Sequence, residues 1–158
     1  MSKWKRVLMV IAGLAIAPKG AAAAADPGLM TLASHHAVAD TIDRFEAAVT
    51  AKGWVVFTRI DHAAAAQAAG LDLLPRTVVI FGNPKTGTDP MRSNPTLAID
   101  LPMKALVWQD QAGKVWLTYN DAGYVGGVIF PRHGLSVPPE ARQDLGQVLA
   151  GFAKQATE

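Results

Sequence analysis

Lys104–Gln109 reads KALVWQ and Lys114–Asn120 reads KVWLTYN, with Asp110-Gln111-Ala112-Gly113 between them. Both stretches alternate side-chain character and are rich in β-branched and aromatic residues, and the connector carries turn residues, so they predict a β-hairpin. Working outward, Thr77–Phe81 (TVVIF) is a short continuous apolar run and predicts a central strand, and Trp54–Ile60 (WVVFTRI) predicts another. Met30–Ser34 predicts a further short strand. Val38, Ile42, Phe45, Ala48 and Val49 recur at helical spacing, with Asp40, Asp43, Arg44 and Glu46 opposite. Lys52 falls in the last turn, and Gly53 takes the position after it. Strands outnumber crossover helices and one pair is a hairpin. The fold class is therefore α+β, a largely antiparallel sheet with helices packed on one face.

The remaining segments are shorter. Asp61 is placed to cap an alanine-rich helix, His62–Ala69, which Gly70 ends. Gly82–Thr88 (GNPKTGT) reads as a loop. Asp89-Pro90 and Asn94-Pro95 each read as an N-cap with proline at the first helical position, predicting two short helical turns between Pro90 and Ile99. Asp121–Gly134 is glycine-rich and reads as irregular. Within it Tyr124–Pro131 (YVGGVIFP) is too apolar to stay in water, and is expected either to be buried under the C-terminal helix or to form a homodimer interface, the plain alternative being a sixth, edge strand. Leu145, Val148, Leu149 and Phe152 predict a closing amphipathic helix after Pro138-Pro139.

The first 25 residues read as a secretory signal peptide. Lys3, Lys5 and Arg6 precede an apolar run, Val7–Ala17, and Ala23-Ala24-Ala25 offers a cleavage site before Asp26. Eleven apolar residues are too few to span a bilayer, which needs about 20. The expectation is export to the periplasm or beyond, with residues 26–158 forming one domain that has no stable membrane insertion once the leader is removed. Of the 158 residues, 50% are hydrophobic and 18% charged, enough apolar content to bury a core. Four of the 15 Lys and Arg lie in the leader, which leaves 11 against 13 Asp and Glu from Asp26 onward. That mildly acidic balance argues against nucleic acid as a partner. With no cysteine there is no disulfide, thiolate metal site or cysteine nucleophile.

Four blocks occur in order with fitting spacings: Thr41-Ile42 through Lys52-Gly53-Trp54 to Arg59-Ile60-Asp61-His62; Phe81-Gly82-Asn83-Pro84-Lys85 with Gly87-Thr88; Asp100-Leu101-Pro102-Met103-Lys104 leading to Val107-Trp108; and Trp116–Asn120 followed by Arg132-His133-Gly134-Leu135. Together, from about Thr31 to the C-terminus, they resemble the DUF302, or TT1751-like, family of uncharacterised domains. The resemblance implies a TBP-like α+β arrangement, a curved antiparallel sheet with helices. It implies no chemistry. Ala37 stands where the family usually has a serine at the start of the first helix, and the apolar Tyr124–Pro131 stretch replaces a shorter polar one.

Candidate site residues are Asp61, His62, Asn83, Lys85, Thr88 and His133. Asp61-His62 reads either as a carboxylate orienting an imidazole or as an N-cap followed by a polar first-turn residue. The Gly82–Thr88 stretch follows a strand and precedes a helix start, a context in which backbone N–H groups can cradle a small anion. It is not a P-loop, because Thr88-Asp89 follows Gly87 where Lys and Ser or Thr are required. The plain alternative is a turn built on Asn-Pro and Gly-Thr. His35, His36, His62 and His133 have no compact ligand spacing, so no metal or other cofactor is expected. Ser34, Ser93 and Ser136 lack a nucleophile signature. Trp54, Trp108 and Trp116 read as core or sheet-face residues rather than a stacking platform.

The leading expectation is an exported, non-enzymatic small-ligand or anion-binding module, its groove near the Asp61-His62 and Gly82–Thr88 turns if both lie at one edge of the sheet. The alternatives are a small enzyme using His62 or His133 as base with Asp61 or Asp121 as orienter, and a domain that self-associates through the sheet edge or Tyr124–Pro131.

Overall fold

The computed structural model describes residues 28–158. The leader expectation for residues 1–25 lies outside them. Five strands, β1 (Leu29–Ser34), β2 (Val55–Asp61), β3 (Arg76–Gly82), β4 (Met103–Gln109) and β5 (Val115–Asn120), form one sheet in the order β1-β5-β4-β3-β2. Every neighbouring pair is antiparallel. The hairpin pairs Ala105 with Tyr119 and Trp108 with Trp116. Thr77–Phe81 lies within β3, one place from the edge strand β2, so the middle of the sheet is β4.

Alternation sorts the side chains onto two faces. Val79, Phe81, Ala105, Val107, Leu117 and Tyr119 point to a core built with α1 (Val38–Ala51) and α6 (Pro139–Thr157). Phe45 and Phe152 from those helices meet Phe81 edge-on, with ring centroids 5.0 and 6.2 Å away. Helix α1 begins at Ala37 without a side-chain cap, and at its end Gly53 takes the left-handed φ of 77°. On the other face Trp108 and Trp116 stack across the hairpin at 6.0 Å, each indole N–H satisfied, by Thr118 Oγ1 and Asp110 Oδ2 respectively.

Two sequence expectations are corrected. The Gly82–Thr88 stretch is not a loop, because Asn83 caps a ten-residue helix, α3 (Pro84–Ser93), and Pro90 lies inside that helix rather than at a new start. Asn94 does cap the following 3₁₀ turn, Pro95–Ile99. Likewise 121–134 is not irregular. It winds through α4 (Ala122–Tyr124), a π turn (Val125–Ile129) and α5 (Phe130–Arg132). Val125 and Ile129 are buried with Leu97 in a second small core that Leu145 of α6 also touches, whereas Val128 faces outward. The apolar segment thus buries Val125, Gly126 and Ile129 within the chain beside α6 and leaves Gly127, Val128 and Pro131 exposed, and it forms no sixth strand.

Candidate functional site

Antiparallel pairing decides which candidates share a neighbourhood. Asp61 pairs with Thr77 at one end of β2 and β3, and Val55 pairs with Gly82 at the other. About six residues of strand, roughly 20 Å, separate Asp61-His62 from Asn83. The two turns therefore do not lie at one edge, and a groove shared between them is ruled out. Asp61 accepts a hydrogen bond from the Ala64 N–H at 3.0 Å as the N-cap of α2 (His62–Ala68), and His62 is exposed.

At the Gly82 end a groove of about 480 Å³ opens between β2, α3 and the π turn. The chain shifts register between Val56 and Thr58, a bulge that turns Phe57 out of the ladder, where it remains 52% exposed and lines the groove. Trp54, Met91, Met103, Phe130 and Leu145 supply other walls. Asn83, Thr86 and Thr88 add polar atoms, and no charged side chain lines it. Lys85 is exposed and not among the lining residues. The backbone donors that would cradle an anion are already used: Lys85 N–H donates to Asn83 Oδ1, and the Thr86 and Gly87 N–H groups donate to the Asn83 carbonyl. Pro84 has none to offer. Thr88 donates its hydroxyl to the Pro84 carbonyl at 2.6 Å.

His133 belongs to the same end of the molecule but to a different cluster. Its Nε2 lies 2.6 Å from Asp100 Oδ2, and its Nδ1 lies 2.7 Å from Thr96 Oγ1. Asn94 donates its amide to the His133 carbonyl at 2.6 Å, and its Oδ1 accepts from the Thr96 N–H. Arg132 Nη1 stands 3.4 Å from Asp100 Oδ1. The side chain of His133 is 6% exposed and that of Asp100 20%, whereas Thr96 reaches the surface. The hydrogen bond from His133, then the charges of Arg132 and Lys104, hold the Asp100 carboxyl below the usual carboxylate range against the opposing effect of burial. Two proton arrangements satisfy the chain: a neutral imidazole whose Nδ1 accepts a hydrogen bond from the Thr96 hydroxyl while its Nε2–H donates to Asp100, or an imidazolium that donates to both neighbours while Thr96 donates to Asn94 Oδ1, also 2.7 Å away.

The orienting carboxylate of His133 is thus Asp100, not Asp61 or Asp121. Asp121 caps α4, accepting from the Tyr124 N–H at 2.6 Å. Sequence reasoning missed Asp100, Thr96 and Asn94. The signal available was that Asp100 and His133 fall in two successive blocks that carry the family resemblance. Among the described residues no three His, Asp or Glu side chains come together as a metal site.

The description "Domain of unknown function DUF302" matches residues 30–152. Curated relatives named "Fluoride-specific ion channel FluC 1", from Brucella suis and Brucella abortus, are 47% identical over 112 residues, 71% of this chain. That stretch is 42% and 40% of their own lengths, so the chain spans about two-fifths of the relatives it matches. The crystal structure of an uncharacterized conserved DUF302 protein from Bacillus stearothermophilus superposes with a TM-score of 0.67 at 22% identity, covering 81% of this chain and 97% of that one. The α+β sheet expected from the hairpin is the fold of that protein too, and with the family match running from β1 into α6 the chain belongs to DUF302.

Proposed function

We propose that this chain is an exported small-ligand-binding module that works at the cell envelope and holds its ligand in the groove at the Gly82 end of the sheet. The observation that carries the reading is the groove itself: about 480 Å³, walled by Trp54, Phe57, Met91, Met103 and Phe130, with Asn83, Thr86 and Thr88 as its polar groups. Apolar walls with a few placed polar groups are the usual make-up of small-molecule sites. The lining carries no charge, so it favours an uncharged, largely apolar ligand over a small anion. The leader-like sequence of the first 25 residues supports export. The channel-named relatives support work beside a membrane. Their channel activity is not carried over, because more than half of their length lies outside the match. Among the described residues no helix is long and apolar enough to cross a membrane.

The test uses the neutral fluorescent probe N-phenylnaphthylamine. The expected result is saturable fluorescence enhancement that weakens about tenfold or more in Phe57→Asp, a position exposed enough to tolerate the change. Probe binding that is absent, or equal in the variant, refutes the groove as the site. Melting-point shifts with phosphate or fluoride that vanish in Lys85→Ala would favour the anion reading instead. Sizing the chain by light scattering tests for a homodimer, and the N-terminal mass of protein from the native envelope tests for cleavage near Asp26.

A further inference from the structure

We propose that Thr96, His133 and Asp100 form an acyl-transfer centre, with Thr96 Oγ1 as nucleophile toward short, apolar carboxylic esters. This inference does not depend on the groove. It rests on a relay of three side chains with the imidazole buried at its centre: Asp100 Oδ2 to His133 Nε2 at 2.6 Å, and His133 Nδ1 to Thr96 Oγ1 at 2.7 Å. A hydroxyl, an imidazole and a carboxylate in that order are the parts of an activated nucleophile, recognised by geometry rather than by chain order. The His133 side chain is 6% exposed and that of Asp100 20%, and Asn94 donates its amide to the His133 carbonyl. Only the hydroxyl-bearing residue is exposed.

The substrate class follows from the surroundings of Thr96. Side chains three residues apart eclipse on a 3₁₀ helix. Ile99 therefore shares a face with Thr96, and at 79% it is the most exposed large hydrophobic residue described. It offers an apolar rest for an acyl chain. Arg132, 60% exposed and 3.4 Å from Asp100, places positive charge beside the relay.

In the step itself, the neutral His133 arrangement is the reactive one. Thr96 Oγ1 attacks the ester carbonyl carbon and its proton moves to His133 Nδ1, while the Nε2–H stays on the ring, hydrogen-bonded to the Asp100 carboxylate. The bond to the leaving oxygen breaks, and His133 returns the proton to the departing alcohol. A water then attacks the acyl-threonine, giving a proton to His133 Nδ1; the acyl–Oγ1 bond breaks and His133 passes that proton to Oγ1, which releases the carboxylic acid and restores the Thr96 hydroxyl. No redox partner is required.

The experiment mixes the full 158-residue chain with p-nitrophenyl butyrate and follows p-nitrophenolate release together with intact and peptide mass. The expected result is release above buffer, with one butyryl group on the peptide containing Thr96. Thr96→Ser should retain acylation, and Thr96→Val and His133→Asn should each lose it by about 100-fold or more. Circular dichroism confirms folding, and should either of those variants fail to fold, Asp100→Asn is expected to show the same loss. No release above buffer, acylation confined to lysines, or an unchanged rate in folded Thr96→Val would overturn the proposal.

Discussion

Replacing Leu97 by alanine tests the seat of the 3₁₀ turn that carries Thr96 and leads into Asp100. Leu97 is fully buried, packed with Val125 and Ile129 and flanked by Met91, Leu101, Phe130 and Leu145. The substitution removes three carbons at about 0.8 kcal/mol per buried methylene, or about 2.4 kcal/mol. A cavity contribution adds to this, reduced where Met91 and the half-buried Leu135 relax into the space, so the expected loss is about 3 kcal/mol. That is a large share of the 5–15 kcal/mol typical of a domain and corresponds to a melting-point drop of roughly 10–15 °C. The assay is urea unfolding followed by far-ultraviolet circular dichroism, with Leu149→Ala in the main core as comparison. The probe-binding groove should weaken in Leu97→Ala beyond what Leu149→Ala does, because Ala98, Leu101, Val125 and Phe130 line it. A loss below about 1 kcal/mol would refute the reasoning, since a buried leucine in contact with that many neighbours cannot be removed so cheaply.

Asp100 contributes to acid sensitivity: its folded carboxyl binds a proton less readily than its unfolded one, so its stabilisation is complete above the ordinary carboxylate value, about pH 4, and lost as pH falls through the lower folded value. Urea midpoints of Asp100→Asn should fall less steeply than wild type on acidification, and parallel slopes would remove Asp100 as a cause. Gly28→Ala should cost about 1–3 kcal/mol, because Gly28 has φ +99° and its new Cβ would sit 2.6–2.8 Å from Tyr124 side-chain atoms; an unchanged melting point counts against that packing. Ile129→Asp should unfold the second core, whereas Val128→Asp, one residue away but 49% exposed rather than 8%, should stay within about 0.5 kcal/mol; equal effects would contradict the π-turn geometry.

The sheet was legible where one physical rule acted alone. Alternation and the Asp110–Gly113 turn defined the hairpin, and 3.6-residue periodicity defined α1. Helix α3 was hidden because Asn83, Pro84, Gly87 and Pro90 are all turn residues by propensity. In the folded chain Asn83 spends its side chain and carbonyl on the first turn, and Pro90 costs one ladder bond in a helix with no fully buried residue. The π turn was hidden because the glycines around Val125 read as irregularity. Gly126 is there for close approach, since a Cβ would lie 2.4 Å from the Arg142 side chain. Candidate residues on separate strands were misplaced together because strand direction is set by pairing, which no local pattern reports. The His133 relay spans 33 and 37 residues of sequence, so only three-dimensional closure creates it.

The placement of β1 bears on the order in which the fold can assemble. The β4–β5 hairpin closes over a short turn, but β1 pairs Leu29 with Asn120, and the His35 N–H donates to the Thr157 carbonyl in the last turn of α6. The chain must be present as far as Asn120, about three quarters of its 158 residues, before β1 has its full partner strand. Contacts of long sequence separation form late because the connecting chain must be ordered first. Pulse-labelling hydrogen exchange should therefore protect β4 and β5 amides before those of β1. A chain cut short by even the last turn of α6 would lose the carbonyl that holds the amide just beyond β1, joining damage at one terminus to fraying at the other.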